Sequence, residues 1–159
     1  MQKKNLIAYY SQGGNTRRIA ELIQRETAGD FYEIIPEKSY KSLYLGGGTR
    51  IKKERETGIL PELRTPIPDI KDYDLIFLGT PNWGNSLSHP VLAFLKQCDL
   101  ERKIIAPFCT HGGGGAGHIE QNIRSECPLA QIYPIFEIYG NGGSDAEKKL
   151  KNWLGGILK

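Results

Sequence analysis

The stretch Leu6-Ile7-Ala8-Tyr9-Tyr10-Ser11-Gln12-Gly13-Gly14-Asn15-Thr16-Arg17-Arg18-Ile19-Ala20 constrains this chain more than any other. A short apolar run of β-type residues breaks into hydroxyl, amide and glycine residues. Helical periodicity then resumes at Ile19, Ala20, Leu22 and Ile23. That is strand, loop and helix in succession. Such a loop leaves backbone N–H groups unpaired at the start of a helix, and the helix dipole adds positive potential there, so the site suits a phosphate. Gly13 and Gly14 let the backbone approach an anion closely. Ser11, Asn15 and Thr16 carry short side-chain donors. The alternative for so short a motif is an ordinary strand-to-helix turn with a Ser or Asn cap. Its position after the first strand, opening a long helix, is the context a phosphate loop requires.

Taken in order, the chain predicts a strand over 6–10 and a helix over 15–27, ended by Gly29-Asp30. A second strand over 31–35 stops at Pro36. Residues 36–70 are the least regular: one or two helical turns over 39–45, a break at Gly46-Gly47-Gly48, and a solvated helical face at Lys52-Lys53-Glu54-Arg55-Glu56. Prolines 61, 66 and 68 argue for irregular chain, and a segment of this length serves either as a lid or recognition loop or as a surface crossover. The apolar run over 74–80 is a strand buried on both faces. A loop follows at Pro81-Asn82-Trp83-Gly84-Asn85-Ser86, then a helix over 90–96 with His89-Pro90 near its start. A buried strand covers 103–109, a glycine-rich loop 110–117 and a helix 118–126. Residues 131–139 read as one strand, placed at an edge by Pro134. A loop over 140–143 precedes a last helix, capped by Ser144-Asp145 and running to about 154 with Glu147 in its first turn.

This alternation predicts an α/β fold, a doubly wound parallel sheet with helices on both faces, in a single domain over 1–159. Ligands in such sheets bind beyond the carboxyl ends of the strands. Three loops qualify: 11–16, 80–86 and 110–117.

Composition narrows the class. With 39% hydrophobic and 25% charged residues the chain has material for one core. A net charge of +3, without a Lys/Arg stripe interleaved with aromatics, gives no support to nucleic-acid binding. No segment approaches the ~20 apolar residues of a membrane span, and the apolar run at the N-terminus is too short for a signal peptide. Cys98, Cys109 and Cys127 make neither a metal pattern nor a disulfide framework, which fits a reducing, cytoplasmic setting.

Several phosphate chemistries fail on single residues. Gly112 and Gly117 have Walker spacing, but position 118 is His, not Lys. A cysteine-phosphatase loop starting at Cys109 needs an Arg at position 115, which is Gly, so Cys109 reads as a small buried hydrophobe. Gly112, Gly114 and Gly117 match G-x-G-x-x-G, with Glu137 twenty residues beyond, but four consecutive glycines satisfy that pattern cheaply and only one strand remains after it. A receiver domain needs an Asp where Thr80 stands and an acidic cluster where Ser11 stands. No Ser-His-Asp or paired-carboxylate set emerges, so no catalytic residue and no metal ligand is assigned. What remains is a cofactor with one phosphate and a flat ring: the first loop for the phosphate, the second and third for the ring, and Trp83 as stacking surface. The competing reading of Trp83 is a partly buried structural aromatic, for which a residue between Asn82, Gly84 and Asn85 is a poor candidate.

With these three segments in view, Tyr10 to Thr16, Gly79-Thr80-Pro81-Asn82-Trp83-Gly84 and Cys109-Thr110-His111-Gly112-Gly113, the chain resembles the flavodoxin-like family, in particular the bacterial branch whose third loop reads THGG. The resemblance spans nearly the whole chain and is poorest over 36–70. It implies a five-stranded sheet of order 2-1-3-4-5 binding FMN non-covalently. Ser11, Gln12, Gly13, Gly14, Asn15 and Thr16 would hold the phosphate. Pro81, Asn82, Trp83, Gly84 and Asn85, with Thr110, His111, Gly112, Gly113 and Gly114, would hold the isoalloxazine. It further implies that a peptide flip at Gly84 offers a carbonyl to the flavin N5–H and stabilises the half-reduced ring. Few positive charges near N1 would lower the potential.

The chain departs from that family pattern in three places. Gly13 replaces a Thr, removing one hydroxyl from the phosphate, a loss of about 1–3 kcal/mol unless a backbone N–H compensates. The third loop carries His111 and glycines where a second stacking Tyr is common, which leaves one flavin face open. The acidic rim expected around the cofactor is not evident. Two roles follow. The resemblance favours an electron carrier with a redox partner protein, while the open face and the 36–70 segment favour an FMN-dependent NAD(P)H or quinone reductase. A third reading, carried by Gly13, is a binding module with weak or no FMN.

Overall fold

The computed structural model describes residues 4–42 and 46–158. Strands β1 (Asn5–Tyr9), β2 (Asp30–Glu33), β3 (Leu75–Pro81), β4 (Ile104–His111), β5 (Gln131–Ile132) and β6 (Phe136–Tyr139) form one sheet. Its order is β2-β1-β3-β4-β5, with β6 also on β4, and every pairing is parallel. The single edge strand expected over 131–139 is therefore two short strands, parted around Pro134, which has no N–H to give the ladder.

The described residues form five α-helices: α1 (Asn15–Thr27), α2 (Gly47–Thr57), α3 (His89–Gln97), α4 (Ile119–Glu126) and α5 (Ala146–Ile157). Successive residues of β1, and Tyr10 just beyond it, divide between two cores, as strand alternation requires. Leu6, Ala8 and Tyr10 join Val91, Phe94, Ile119 and Ile123 on the α3/α4 face. Ile7 and Tyr9 join Ile19, Ile23, Leu150 and Leu154 on the α1/α5 face. At the sheet centre Gly79 pairs in register with Phe108, whose ring lies 2.3 Å from where a β-carbon on Gly79 would sit. Only glycine fits there.

Two expectations are corrected. The 46–48 glycines do not break a helix but start one. Gly46 is the left-handed residue before α2 (φ 98°), and Gly47, inside it, abuts the Lys41 carbonyl, which a β-carbon would strike. The turns expected over 39–45 fall partly outside the described residues, and 39–42 carry no helix. At the other end, Ser144 and Asp145 lie in a 3-10 turn and neither side chain caps α5. Asn141 orders that turn instead, its side-chain oxygen accepting from the Gly143 N–H at 3.0 Å. The helix continues through Gly155 and Gly156 to Ile157. Among the described residues, no helix is long and apolar enough to cross a membrane.

Candidate cofactor-binding site

At the carboxyl end of the sheet the first loop turns from β1 into α1 through Gly13 (φ 92°) and Gly14 (φ 100°), conformations glycine adopts without strain. The Ser11 hydroxyl accepts from the Arg17 N–H at 3.1 Å, and the Arg18 N–H bonds to the Gly14 carbonyl. Among the described residues, no hydrogen bond is made by the backbone N–H groups from Gln12 to Thr16. These five donors at a helix N-terminus form an anion cradle. The two arginines beside it are turned elsewhere: Arg17 pairs with Glu33, and Arg18 donates to the carbonyls of Asn141 and Gly143. Thr16 is also turned away. Its hydroxyl is buried and lies 2.8 Å from that of Thr110, so its side chain ties the first loop to the third and only its N–H faces the cradle.

The second loop is a tight turn. Trp83 and Ser86 exchange both backbone hydrogen bonds across Gly84 (φ 58°) and Asn85 (φ 67°). Positive φ at both central positions is the type I′ geometry. Asn82 braces the turn twice, accepting from the Asn85 N–H and donating to the Gly115 carbonyl, each at 2.7 Å. In the third loop the His111 Nδ1 accepts from the Gly113 N–H at 3.0 Å, which leaves a neutral His111 with its proton on Nε2. Glu137 accepts from the Ala116 N–H at 2.7 Å and so holds the loop's shape; it is not a free ribose-binding acid. Gly117 lets the second and third loops touch, since a β-carbon there would lie 2.7 Å from Asn85. Burial pushes the Cys109 thiol up to about 12, so it is protonated and no nucleophile at neutral pH.

The three loops surround a cavity of about 680 Å³. Of the expected site residues, Gln12, Asn15, Pro81, Asn82, Trp83, Gly84, Thr110, His111 and Gly112 line it. Ser11, Gly13, Gly14, Thr16, Asn85, Gly113 and Gly114 belong to the same three loops but are not among the lining residues. Two features were missed. Tyr139, 68% exposed at the end of β6, reaches the cavity beside His111, with ring centroids 6.1 Å apart. The aromatic that the third loop lacks thus stands at the end of β6, which pairs with β4. Helix α2 supplies another wall with Gly48, Ile51, Lys52 and Arg55, so the 36–70 segment is part of the site. The run over 52–56 is not simply solvated, and among the described residues the charged ones that line the cavity are the cations Lys52 and Arg55, with no acidic residue beside them.

Trp83 is a core residue after all, only 8% exposed, yet it also lines the cavity. It sits edge-on to Tyr40 (4.8 Å between centroids), Tyr10 (5.7 Å) and His89 (5.7 Å). Behind it lies a polar cluster the sequence did not announce. The Glu54 carboxylate accepts from the Tyr40 hydroxyl at 2.7 Å and from Arg50 Nε at 3.2 Å, and lies 2.8 Å from His89 Nδ1. Arg50 also covers the Tyr40 ring at 3.7 Å. Burial pushes the nearby Tyr10 hydroxyl up to about 12. The sequence shows only a mixed-sign run at 52–56, in which nothing sets Glu54 apart from Glu56.

An N–H cradle suited to an anion, beside a cavity walled by aromatic and glycine-rich loops at the carboxyl ends of a doubly wound sheet, places the chain in the open α/β class, whose ligand sites lie at this end of the sheet. The family model for flavodoxins matches residues 4–157, and the chain belongs to that family. Among solved structures it is similar to a candidate flavoprotein from Bacteroides eggerthii, at 27% identity over 99% of each chain with a TM-score of 0.86. A flavoprotein from Lactobacillus acidophilus, solved in complex with FMN, is 22% identical with a TM-score of 0.78, over 96% of this chain and 99% of that one. Oxidised flavodoxin 2 from Bacillus cereus shares the fold at 21% identity and a TM-score of 0.64, over 98% and 97%. A comparison with curated proteins finds no match.

Proposed function

We propose that this protein binds FMN in the cavity and works in electron transfer. The observation that carries the reading is the row of unpaired N–H groups from Gln12 to Thr16, opening on a cavity whose other walls are the second and third loops. Five backbone donors offset the hydroxyl missing at Gly13. Asn15 adds a side-chain amide at the cavity wall. The ring would rest among Pro81, Trp83 and Gly84 on one side and Thr110, His111 and Gly112 on the other, with Tyr139 as a second aromatic surface. FMN, when bound, supplies one- and two-electron chemistry. This chain's residues bind it, orient it and exclude water, while Gly84 and His111 Nε2 offer polar groups at the cavity wall. Both flavodoxin-family membership and the FMN complex of the Lactobacillus acidophilus relative support the reading. The three unpaired cysteines fit a reducing compartment such as the cytoplasm.

A second reading, an FMN-dependent NAD(P)H or quinone reductase, is favoured by the cationic wall that α2 gives the cavity, because NAD(P)H is an anion. Anaerobic mixing separates the two. A carrier reconstituted with FMN is reduced by a photochemical donor and reoxidised by cytochrome c, but is not bleached by NADPH. A reductase is bleached by NADPH and turns over with a quinone. A protein that retains no FMN contradicts both.

A further inference from the structure

The charge on the cavity wall is not explained by the cofactor alone. The anion cradle at Gln12 to Thr16 already answers one phosphate, and an oxidised flavin ring carries no charge. Yet Lys52 and Arg55, one turn apart on α2, both line the cavity, and among the described residues no acidic one does. A pair at this spacing shares a helix face. Among the described residues, Arg55 makes no hydrogen bond or ion pair, and Lys52 meets only Glu56, at 4.0 Å between two exposed side chains. The Arg55 guanidinium lies over the second loop: its Nη2 is 3.1 Å from where a β-carbon on Gly84 would sit. The neighbouring Glu54, by contrast, is answered by Arg50, Tyr40 and His89. Among the described residues Arg55 is thus without a partner and Lys52 has only a distant, exposed one, which leaves both cations at the cavity wall available to an anion.

We propose that Lys52 and Arg55 form an anion subsite beside Gly84, which takes the carboxylate, sulfonate or phosphate group of a small redox co-substrate at the flavin edge. This rests on the FMN reading above. The ligand is a small molecule rather than an acidic protein surface, because the cations line a cavity of about 680 Å³, within the size range of small-molecule sites. Arg55 supplies a planar fork suited to an oxyanion, and Lys52 a point charge on a flexible stem. The subsite gives the cavity a preference among flat co-substrates by charge, which aromatic stacking on Tyr139 does not supply.

The test is a titration of the FMN-loaded protein with naphthalene-2-sulfonate and with its neutral counterpart naphthalene-2-methanol, read by the visible flavin band and by calorimetry. The sulfonate is expected to bind about tenfold more tightly, with the advantage shrinking at high salt. The variant K52A/R55A loses this preference and keeps its FMN, whereas K52R/R55K retains the preference. Equal binding of the two probes to the wild-type protein, or an unchanged preference in K52A/R55A, overturns the subsite. Loss of FMN from K52A/R55A also overturns it, because the two cations then serve the cofactor itself. A wild-type protein that holds no flavin overturns the cofactor reading first, and its colourless spectrum shows this before any titration.

Discussion

Glu54 on α2 holds an oxygen 2.8 Å from Nδ1 of His89 on α3, thirty-five residues further along the chain. Apart from Gly47, α2 buries no residue fully, so this carboxylate, with Tyr40 and Arg50, fastens the cavity wall to the core. Glu54→Ala strands the Tyr40 hydroxyl and the Arg50 and His89 donors. It is expected to cost about 1–3 kcal/mol in urea unfolding and to weaken FMN binding as the wall loosens. Glu54→Gln, which keeps an acceptor for Tyr40, costs less. Equal losses from both variants contradict the role of the carbonyl oxygen.

The buried Thr16–Thr110 hydroxyl pair makes a sharper claim about loops one and three. Thr16→Val alone leaves the Thr110 hydroxyl unpaired and costs about 1–3 kcal/mol. The double variant Thr16→Val/Thr110→Val is expected to regain most of that loss, because no polar group is then left without a partner. A double-mutant cycle in denaturant measures this. Additive losses would show that the two hydroxyls do not depend on each other.

Trp83 has two roles that substitution can separate. Trp83→Ala removes a ring from the core and should cost about 3–5 kcal/mol. Trp83→Phe keeps much of the packing against Tyr10 and Tyr40, and is expected to remain folded by circular dichroism while losing FMN affinity severalfold. Unchanged affinity in Trp83→Phe and in a folded Trp83→Ala contradicts the stacking assignment.

Gly84 sits at φ 58° against Arg55. Alanine there adds strain of about 1–2 kcal/mol, and asparagine, which tolerates the left-handed region, adds less. In a spectroelectrochemical titration of the FMN-loaded protein, Gly84→Ala shifts the gap between the two one-electron potentials. An unchanged titration removes Gly84 from redox tuning.

Alkali should destabilise the fold. Burial raises the thiols of Cys98 and Cys109 from 9.0 to about 12, and that of Cys127 to about 11. These groups bind their protons more tightly folded than unfolded. Their stabilisation is therefore complete below pH 9 and is lost as pH rises toward their folded values. The urea midpoint is expected to fall steadily between about pH 9 and 11, and the three thiols to resist alkylation at pH 8 until the protein unfolds.

The alternation of strands with four of the helices was legible because periodicity and punctuation agreed: 15–27 is bounded as expected, and the strand over 74–80 reads as an unbroken apolar run, whereas the order of the strands came from the family resemblance. Helix α2 was hidden because its glycines work by contact. Gly47 is helical where a backbone presses on it, a fact no local propensity contains. The row of free N–H groups in the first loop was legible because it is a backbone feature, contiguous in sequence. The Glu54 cluster was not, because Tyr40, Arg50, Glu54 and His89 meet only in the tertiary structure. Tyr139 was missed for the same reason: it belongs to β6 by sequence and to the third loop in space.

The most direct measurement is the visible spectrum of the purified protein after incubation with FMN and desalting. The account predicts a retained flavin spectrum with bands shifted from those of free FMN, and its loss when Gly14 is replaced by a residue that cannot hold φ 100°, such as valine. A protein that leaves the column colourless, although folded by circular dichroism, would contradict the assignment of Gln12 to Thr16 as the phosphate cradle and the function built on it.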